Sequence, residues 1–214
     1  MKANRSNPFD FFDKIYCISA PTRGEKKERA MRQFQQIGIL DRVVFFPAIM
    51  QEPYWVGCRE SHRACINKAK ADGAENVLIF EEDVFFLHKD FAALDSALNS
   101  LSKFDWKVFT LGQSVHRVNR HINENLCLVN SSLTHAHALH KRCWDEMLNY
   151  PHTTECIDVD TPFGQRTGLN KVYNKSNIDV FMSHHYEKFM IKPIMAVQPD
   201  KASATLKKYY NLVL

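Results

Sequence analysis

Val77-Leu78-Ile79-Phe80 is a run of four apolar residues that ends directly in three carboxylates, Glu81-Glu82-Asp83. An apolar run of this length reads as a buried strand. Ending it in clustered acid is costly, because each carboxylate loses water near the core and like charges raise one another's pKa. A cation at the strand end offsets both effects. Oxygen ligands suit Mg2+ or Mn2+, and both ions partner diphosphates. Open α/β sheets bind ligands just beyond the carboxyl ends of their strands. The segment thus suggests a metal–diphosphate site. A solvated turn, or the first turn of a helix favoured by its dipole, is the competing reading. The segment alone leaves both open.

The rest of the chain bounds the choice. Its 214 residues are 45% hydrophobic, enough for one globular domain with a sizeable core. The expected layout is a single domain over 1–214, with 1–12 as a loose N-terminal arm and 203–214 as a C-terminal tail. A formal net charge of +4, with Lys and Arg scattered rather than striped, is too weak a bias to argue for nucleic acid, and no nucleic-acid partner is expected. The six cysteines form no CxxC pair and no zinc-ligand spacing. Cys17 and Cys65 sit in apolar periodic runs as small core residues. A reducing, cytoplasmic setting is expected. No signal peptide is visible in Met1 to Asp10, and no apolar run approaches the roughly 20 residues of a bilayer span. Peripheral contact with the inner membrane face stays open, and so does the oligomeric state.

Along the chain, Ile15 to Ile18 reads as a first strand, followed by a Pro21–Gly24 loop and a helix over Glu25 to Ile37. Val43 to Phe46 is a second strand, Cys58 to Ala71 a second helix and Val77 to Phe80 a third strand. Phe91 to Leu101 is a helix and Trp106 to Leu111 a strand. His116 to Asn125 reads as a polar loop and Leu126 to Val129 as an edge strand. Thr134 to Leu139 is ambiguous, and Lys141 to Asn149 is helical. The opening strand–loop–helix–strand unit predicts a doubly wound α/β sheet.

The usual phosphate loops are missing: there is no GxGxxG and no GxxxxGK[ST]. A diphosphate can instead be held by a divalent metal on carboxylates, an Arg or Lys, and a helix N-terminus. Arg23 is the candidate cation. Glu81 and Asp83, two apart, share a face in an extended segment and are the candidate metal ligands, with Glu82 pointing elsewhere.

Several pieces, in order, resemble glycosyltransferase family 25, which includes lipopolysaccharide and procollagen galactosyltransferases. They are Ile15-Tyr16-Cys17-Ile18-Ser19 with Arg23 and Arg29, then Ile37-Gly38-Ile39 and Phe45-Phe46-Pro47-Ala48-Ile49. Gly57-Cys58-Arg59-Glu60-Ser61-His62 resembles the family's Gly-Cys-x-x-Ser-His signature. Leu78 to Val84 resembles its Leu-Ile-Leu-Glu-Asp-Asp-Val signature. Thr134 to Ala138 and Pro193 to Gln198, with Ser203, resemble later segments. Glu82 stands where Asp is usual, and His137 where Tyr is common. Leu139 to Asp179 matches poorly.

The resemblance implies a GT-A-like domain with a mixed, mostly parallel sheet flanked by helices. It implies an inverting, metal-dependent hexosyltransferase, with galactose as the expected sugar. The donor would be a UDP-sugar held with Mn2+ or Mg2+, and the acceptor a hydroxyl of a glycan or glycoconjugate. Ser19, Arg23, Ser61, His62 and Glu82 would contact the donor, and Glu81 and Asp83 the metal. His62 near a helix start would be kept neutral by the dipole and could bond sugar or phosphate. Its alternative is packing beneath a helix that Ser61 caps. Glu82 is open between a contact to sugar or ribose and solvent, and Arg23 between phosphate and an exposed loop. An inverting transfer needs one general base. Asp179 and Asp158 are the candidates in that order, with Asp160 behind them and a surface role open for each. His184-His185 reads as exposed. Two other classes remain: a catalytically silent sugar-nucleotide or glycan-binding domain that keeps the fold, and a metal-dependent phosphoesterase.

Overall fold

The structure, a computed structural model, describes residues 7–151, 156–158, 172–174, 177–202 and 205–206. For 156–158 and 172–174 it describes the backbone. In chain order the first elements are β1 (Lys14–Ser19), α1 (Gly24–Gln36), β2 (Val43–Pro47), α2 (Tyr54–Ala71), β3 (Asn76–Glu81), β4 (Phe85–Phe86) and α3 (Phe91–Leu101). The second half holds β5 (Val108–Thr110), β6 (Ser114–His121), β7 (Leu126–Ser132), β8 (Ala136–His140), α4 (Trp144–Asn149), β9 (Cys156–Asp158), β10 (Val172–Asn174), α5 (Ile178–His185), β11 (Lys188–Ile191) and β12 (Ala196–Val197).

Eight strands form one sheet in the order β2-β1-β3-β8-β5-β11-β7-β6. β7 and β8 run against the other six, so the sheet is mixed and mostly parallel, as expected. Both faces of its parallel part are covered. On one face Ile15, Cys17, Leu78 and Phe80 pack with Phe34 of α1 and Leu94, Leu98 and Leu101 of α3. On the other, Tyr16, Ile18, Val77 and Ile79 pack with Cys65, Ile66 and Ala69 of α2 and with Trp144, Met147 and Phe181. Strands buried on both faces read as continuous apolar runs, which is what β1 and β3 show in sequence. A 3₁₀ turn at Pro8–Phe11, capped by Asn7, seats Phe9 and Phe12 in the first core.

Three stretches depart from the sequence expectation. The polar stretch from His116 is not a loop but most of β6. As an outer strand with two register irregularities against β7, it tolerates polar side chains. That makes β7 an interior strand rather than an edge. The ambiguous Thr134–Leu139 stretch is β8, central between β3 and β5, with His135, His137 and His140 all buried. Helix α2 begins a turn before Cys58, after Pro53, whose missing N–H costs nothing at a helix start.

Candidate functional site

Side-chain alternation along β3 sorts the acidic cluster. Val77 and Ile79 face α2 and Leu78 and Phe80 face α1 and α3, so Glu81 falls on the α2 side and Glu82 on the opposite side. The extended backbone ends at Glu81, and the next residues turn, closed by the Val84 N–H donating to the Glu81 carbonyl at 3.0 Å. The face-sharing rule therefore does not carry past Glu81 to Asp83. Glu82 is 5% exposed. It accepts the Ala20 N–H at 2.7 Å and pairs with Arg23 Nη1 at 3.4 Å. Asp83 accepts from Gln198 Nε2 at 3.3 and 3.4 Å and lies 3.9 Å from Lys26 Nζ. The side chains of Glu81 and Asp83 are 22% and 19% exposed, so the cluster is not a solvated turn.

Two adjacent faces of α2 explain the Gly57-Cys58-x-x-Ser61-His62 pattern. Positions four apart on a helix share a face. Gly57 and Ser61 face the segment before the helix. A Cβ on Gly57 would lie 2.3 Å from the Ile49 carbonyl oxygen. Ser61 Oγ accepts the Ile49 N–H at 2.8 Å and donates to the Gly57 carbonyl at 2.7 Å. Ser61 is thus a brace inside α2, not its cap. Cys58 and His62 face Glu81.

His62 is 1% exposed and sits well inside α2, so burial rather than a helix dipole keeps it neutral, with its pKa lowered to about 4. Its Nδ1–H donates to the Cys58 carbonyl at 2.9 Å, which leaves the lone pair on Nε2. That atom lies 3.8 Å from Glu81 Oε1. Glu81 Oε1 also accepts from the Thr134 hydroxyl at 2.5 Å. The His62 ring stacks on His137, centroids 5.3 Å apart. His137 donates from Nδ1 to the Thr134 carbonyl at 2.8 Å, and burial holds its pKa well below the usual range.

The remaining sequence candidates fall around this cluster. Ser19 ends β1, buried, and its carbonyl accepts the Ala48 N–H at 2.9 Å. Arg23 is the residue before α1, its side chain 54% exposed, so it is anchored to Glu82 rather than free in a loop. Asp179 lies in the first turn of α5. It stands in electrostatic reach of the Cys58 thiol and the buried Lys188. Asp158 is on β9, its side chain outside the described residues, and Asp160 is outside them altogether. His184 and His185 are exposed, as expected.

Sequence reading gave no site role to Lys26, Gln198, Cys58 or Thr134. The first is one turn along α1 from Arg23, a helical spacing that could have found it. Gln198 arrives through β12, and nothing local in sequence ties it to Asp83, 115 residues away. Its Oε1 is buried and makes no hydrogen bond.

No protein-family model matches the chain, and no characterised protein matches it in sequence. Several solved structures resemble it distantly. A197 from STIV is 10% identical, with a TM-score of 0.47 over 86% of this chain and 84% of that one. A UDP-glucose pyrophosphorylase solved with UDP-glucose is 6% identical, with a TM-score of 0.46 over 92% and 81%. A Drosophila β-1,4-galactosyltransferase 7 solved with manganese, UDP-Gal and xylobiose is 8% identical, with a TM-score of 0.44 over 89% and 73%.

Proposed function

We propose that the chain is a nucleotide-sugar-dependent glycosyltransferase of the family 25 type, transferring a hexosyl group from a UDP-sugar to a glycan hydroxyl. The observation that carries the reading is the acidic turn after β3 with two cations over it. Glu81, Glu82 and Asp83 close the central strand, and Arg23 and Lys26, at the start of α1, stand within 4 Å of Glu82 and Asp83. Such a turn offers carboxylate oxygens to a metal and cationic side chains plus a helix N-terminus to a diphosphate.

In this reading a hard divalent cation such as Mn2+ or Mg2+ binds on the oxygens of the acidic turn. Glu81 and Asp83 would supply carboxylate oxygens, and Gln198 would steady Asp83 through its Nε2, 3.3 and 3.4 Å from the two carboxylate oxygens. When bound, such an ion neutralises charge on the leaving diphosphate. Arg23 and Lys26 add positive charge at the same place, and Glu82 holds Arg23 there. In an inverting transfer the acceptor oxygen attacks the anomeric carbon as the bond to the diphosphate oxygen breaks. The electron pair leaves with the diphosphate and the hydroxyl proton passes to a carboxylate. Asp179, on the α5 side of the cluster, is that base.

The test is calorimetry of UDP binding with and without Mn2+, then donor turnover by wild type and Asp83→Ala. Metal-dependent UDP binding with turnover lost in Asp83→Ala supports the proposal. Binding without turnover across donors and acceptors points to a silent binding domain. No UDP binding with manganese present overturns both readings. Release of phosphate from simple esters, without a sugar nucleotide, points to a phosphoesterase.

A further inference from the structure

We infer that Cys58, His62 and Glu81 form a seat for a thiophilic divalent cation of the zinc class, distinct from the hard-ion seat on the acidic turn. One ligand atom from each of these three residues lies within 4.8 Å of the other two. In a tetrahedral zinc site, bonds of about 2.0–2.3 Å put ligand atoms roughly 3.3–3.8 Å apart, so a small inward shift closes the set. The His62–Glu81 edge is already at 3.8 Å.

The His62–Glu81 contact is the independent sign that something belongs there. His62 Nε2 is fully buried and makes no hydrogen bond. Its ring proton is committed to the Cys58 carbonyl, so Nε2 presents a lone pair. What it faces is a carboxylate oxygen, another acceptor, too far for a hydrogen bond. Two acceptors facing each other, one of them on a fully buried ring, repel unless a cation stands between them. Protonating His62 is the costly answer, since it puts a charge on a ring that is 1% exposed. A metal ion answers it without charging the ring.

The outer contacts fit as well. Metal-bound histidines commonly donate the other ring N–H to a carbonyl, and bound carboxylates are hydrogen-bonded in turn. Here the Cys58 carbonyl and the Thr134 hydroxyl have those roles. Cys58 and Glu81 are only partly buried, so the seat opens to solvent on one side and leaves a fourth position free. A thiolate with an imidazole selects zinc-class ions over Mg2+ or Mn2+. Binding forms the metal–sulfur bond as the Cys58 S–H proton goes to solvent, so affinity rises with pH. Glu81 is the residue shared with the acidic turn. Zinc held here takes that carboxylate from the hard ion, which makes zinc an inhibitor of manganese-dependent turnover. The seat does not rest on the transferase reading.

The test is titration of the full chain with Co2+ alone, without nucleotide, followed by absorbance. One equivalent is expected to give the visible bands of tetrahedral cobalt with thiolate-to-cobalt charge transfer in the near ultraviolet, and zinc to abolish both. Cys58→Ser should remove the charge-transfer band and His62→Gln weaken binding by about tenfold or more. Cys143→Ser, a buried thiol elsewhere, should change nothing. In wild type, zinc should slow alkylation of Cys58, read by peptide mass spectrometry, which needs no variant to fold. No tetrahedral cobalt spectrum, a spectrum unchanged by Cys58→Ser, or alkylation indifferent to zinc overturns the inference. UDP binding, measured separately, reports on the transferase reading alone.

Discussion

Glu82 Oε2 accepts the backbone N–H of Ala20 at 2.7 Å across 62 residues of sequence. This bond ties the acidic turn after β3 to the chain leaving β1, and the same carboxylate holds Arg23 at the start of α1. The middle acid is therefore a buried brace between two loops. The geometry of Glu81 on one side and Asp83 on the other depends on it.

Removing that acceptor should destabilise the fold measurably. Glu82→Ala leaves the Ala20 amide buried and unpaired, which costs about 1–3 kcal/mol. Glu82→Gln keeps an acceptor for Ala20 and gives up only the charge facing Arg23. Because the arginine is half exposed, that charge is worth at most about 1 kcal/mol. Urea unfolding of the two variants should rank them Ala well below Gln. Equal losses would mean that the charge, not the amide bond, is what Glu82 contributes.

Gly57 is fixed by the close approach of another backbone. A Cβ there would meet the Ile49 oxygen at 2.3 Å and the Gln51 nitrogen at 2.9 Å, and neither is a flexible side-chain end. Gly57→Ala should cost about 1–3 kcal/mol through displacement of that segment. Gly24→Ala is the control, because a Cβ at Gly24 meets nothing within 4 Å. Thermal unfolding should show a clear loss for the first and almost none for the second.

What could be read from the sequence divides along physical lines. β1 and β3 are legible because strands buried on both faces must be apolar throughout, and α3 because Leu94, Leu98 and Leu101 repeat at helical spacing. The strand end of the site follows from β3 alone. β6 hides because a bulged outer strand needs no apolar alternation, and β8 because buried His135, His137 and His140 break the apolar run that a central strand would otherwise show. Gln198 and Thr134 reach the acids through sheet topology, which no local window contains. The resemblance marked Gly57 through His62 as a unit, and only the fold separates its bracing residues, Gly57 and Ser61, from Cys58 and His62 beside Glu81.

Lys188, at the start of β11, is fully buried, and its Nζ donates to the Ser131 carbonyl at 2.6 Å and to Gln113 Oε1 at 3.4 Å. Burial lowers its pKa to about 7, with Asp179 opposing the shift. The unfolded chain holds this proton up to about pH 10.5, whereas the folded chain releases it near pH 7. Between these values the unfolded state binds more protons, so stability rises with pH; below pH 7 both states are protonated and the slope vanishes. From pH 7 to 9 the gain is on the order of 2 kcal/mol. Lys188→Met removes this slope. Gln113 Oε1 keeps the Ser131 hydroxyl as a donor, and the Ser131 carbonyl shares the Ser183 hydroxyl with the Asp179 carbonyl. Urea unfolding at pH 7 and pH 9 should show the variant gaining on wild type at the lower pH. A difference independent of pH would show that the amine stays charged in the folded protein.

Asp179 is the residue on which the proposed chemistry is most exposed to test. It stands on α5, on the side of the cluster where Cys58 and Lys188 feel its charge, rather than in the turn that would hold the donor. A base placed there acts on the acceptor hydroxyl and has no part in binding UDP. Asp179→Asn keeps the size of the side chain and removes its basicity. It should lower kcat for transfer by about 10²–10⁴-fold. UDP affinity and the KM for the donor should stay close to wild type. Initial rates over a range of donor concentration at fixed acceptor separate the two quantities. A raised donor KM at unchanged kcat would assign Asp179 to binding, and an unchanged pair would move the base to another carboxylate, with Asp158 next in line.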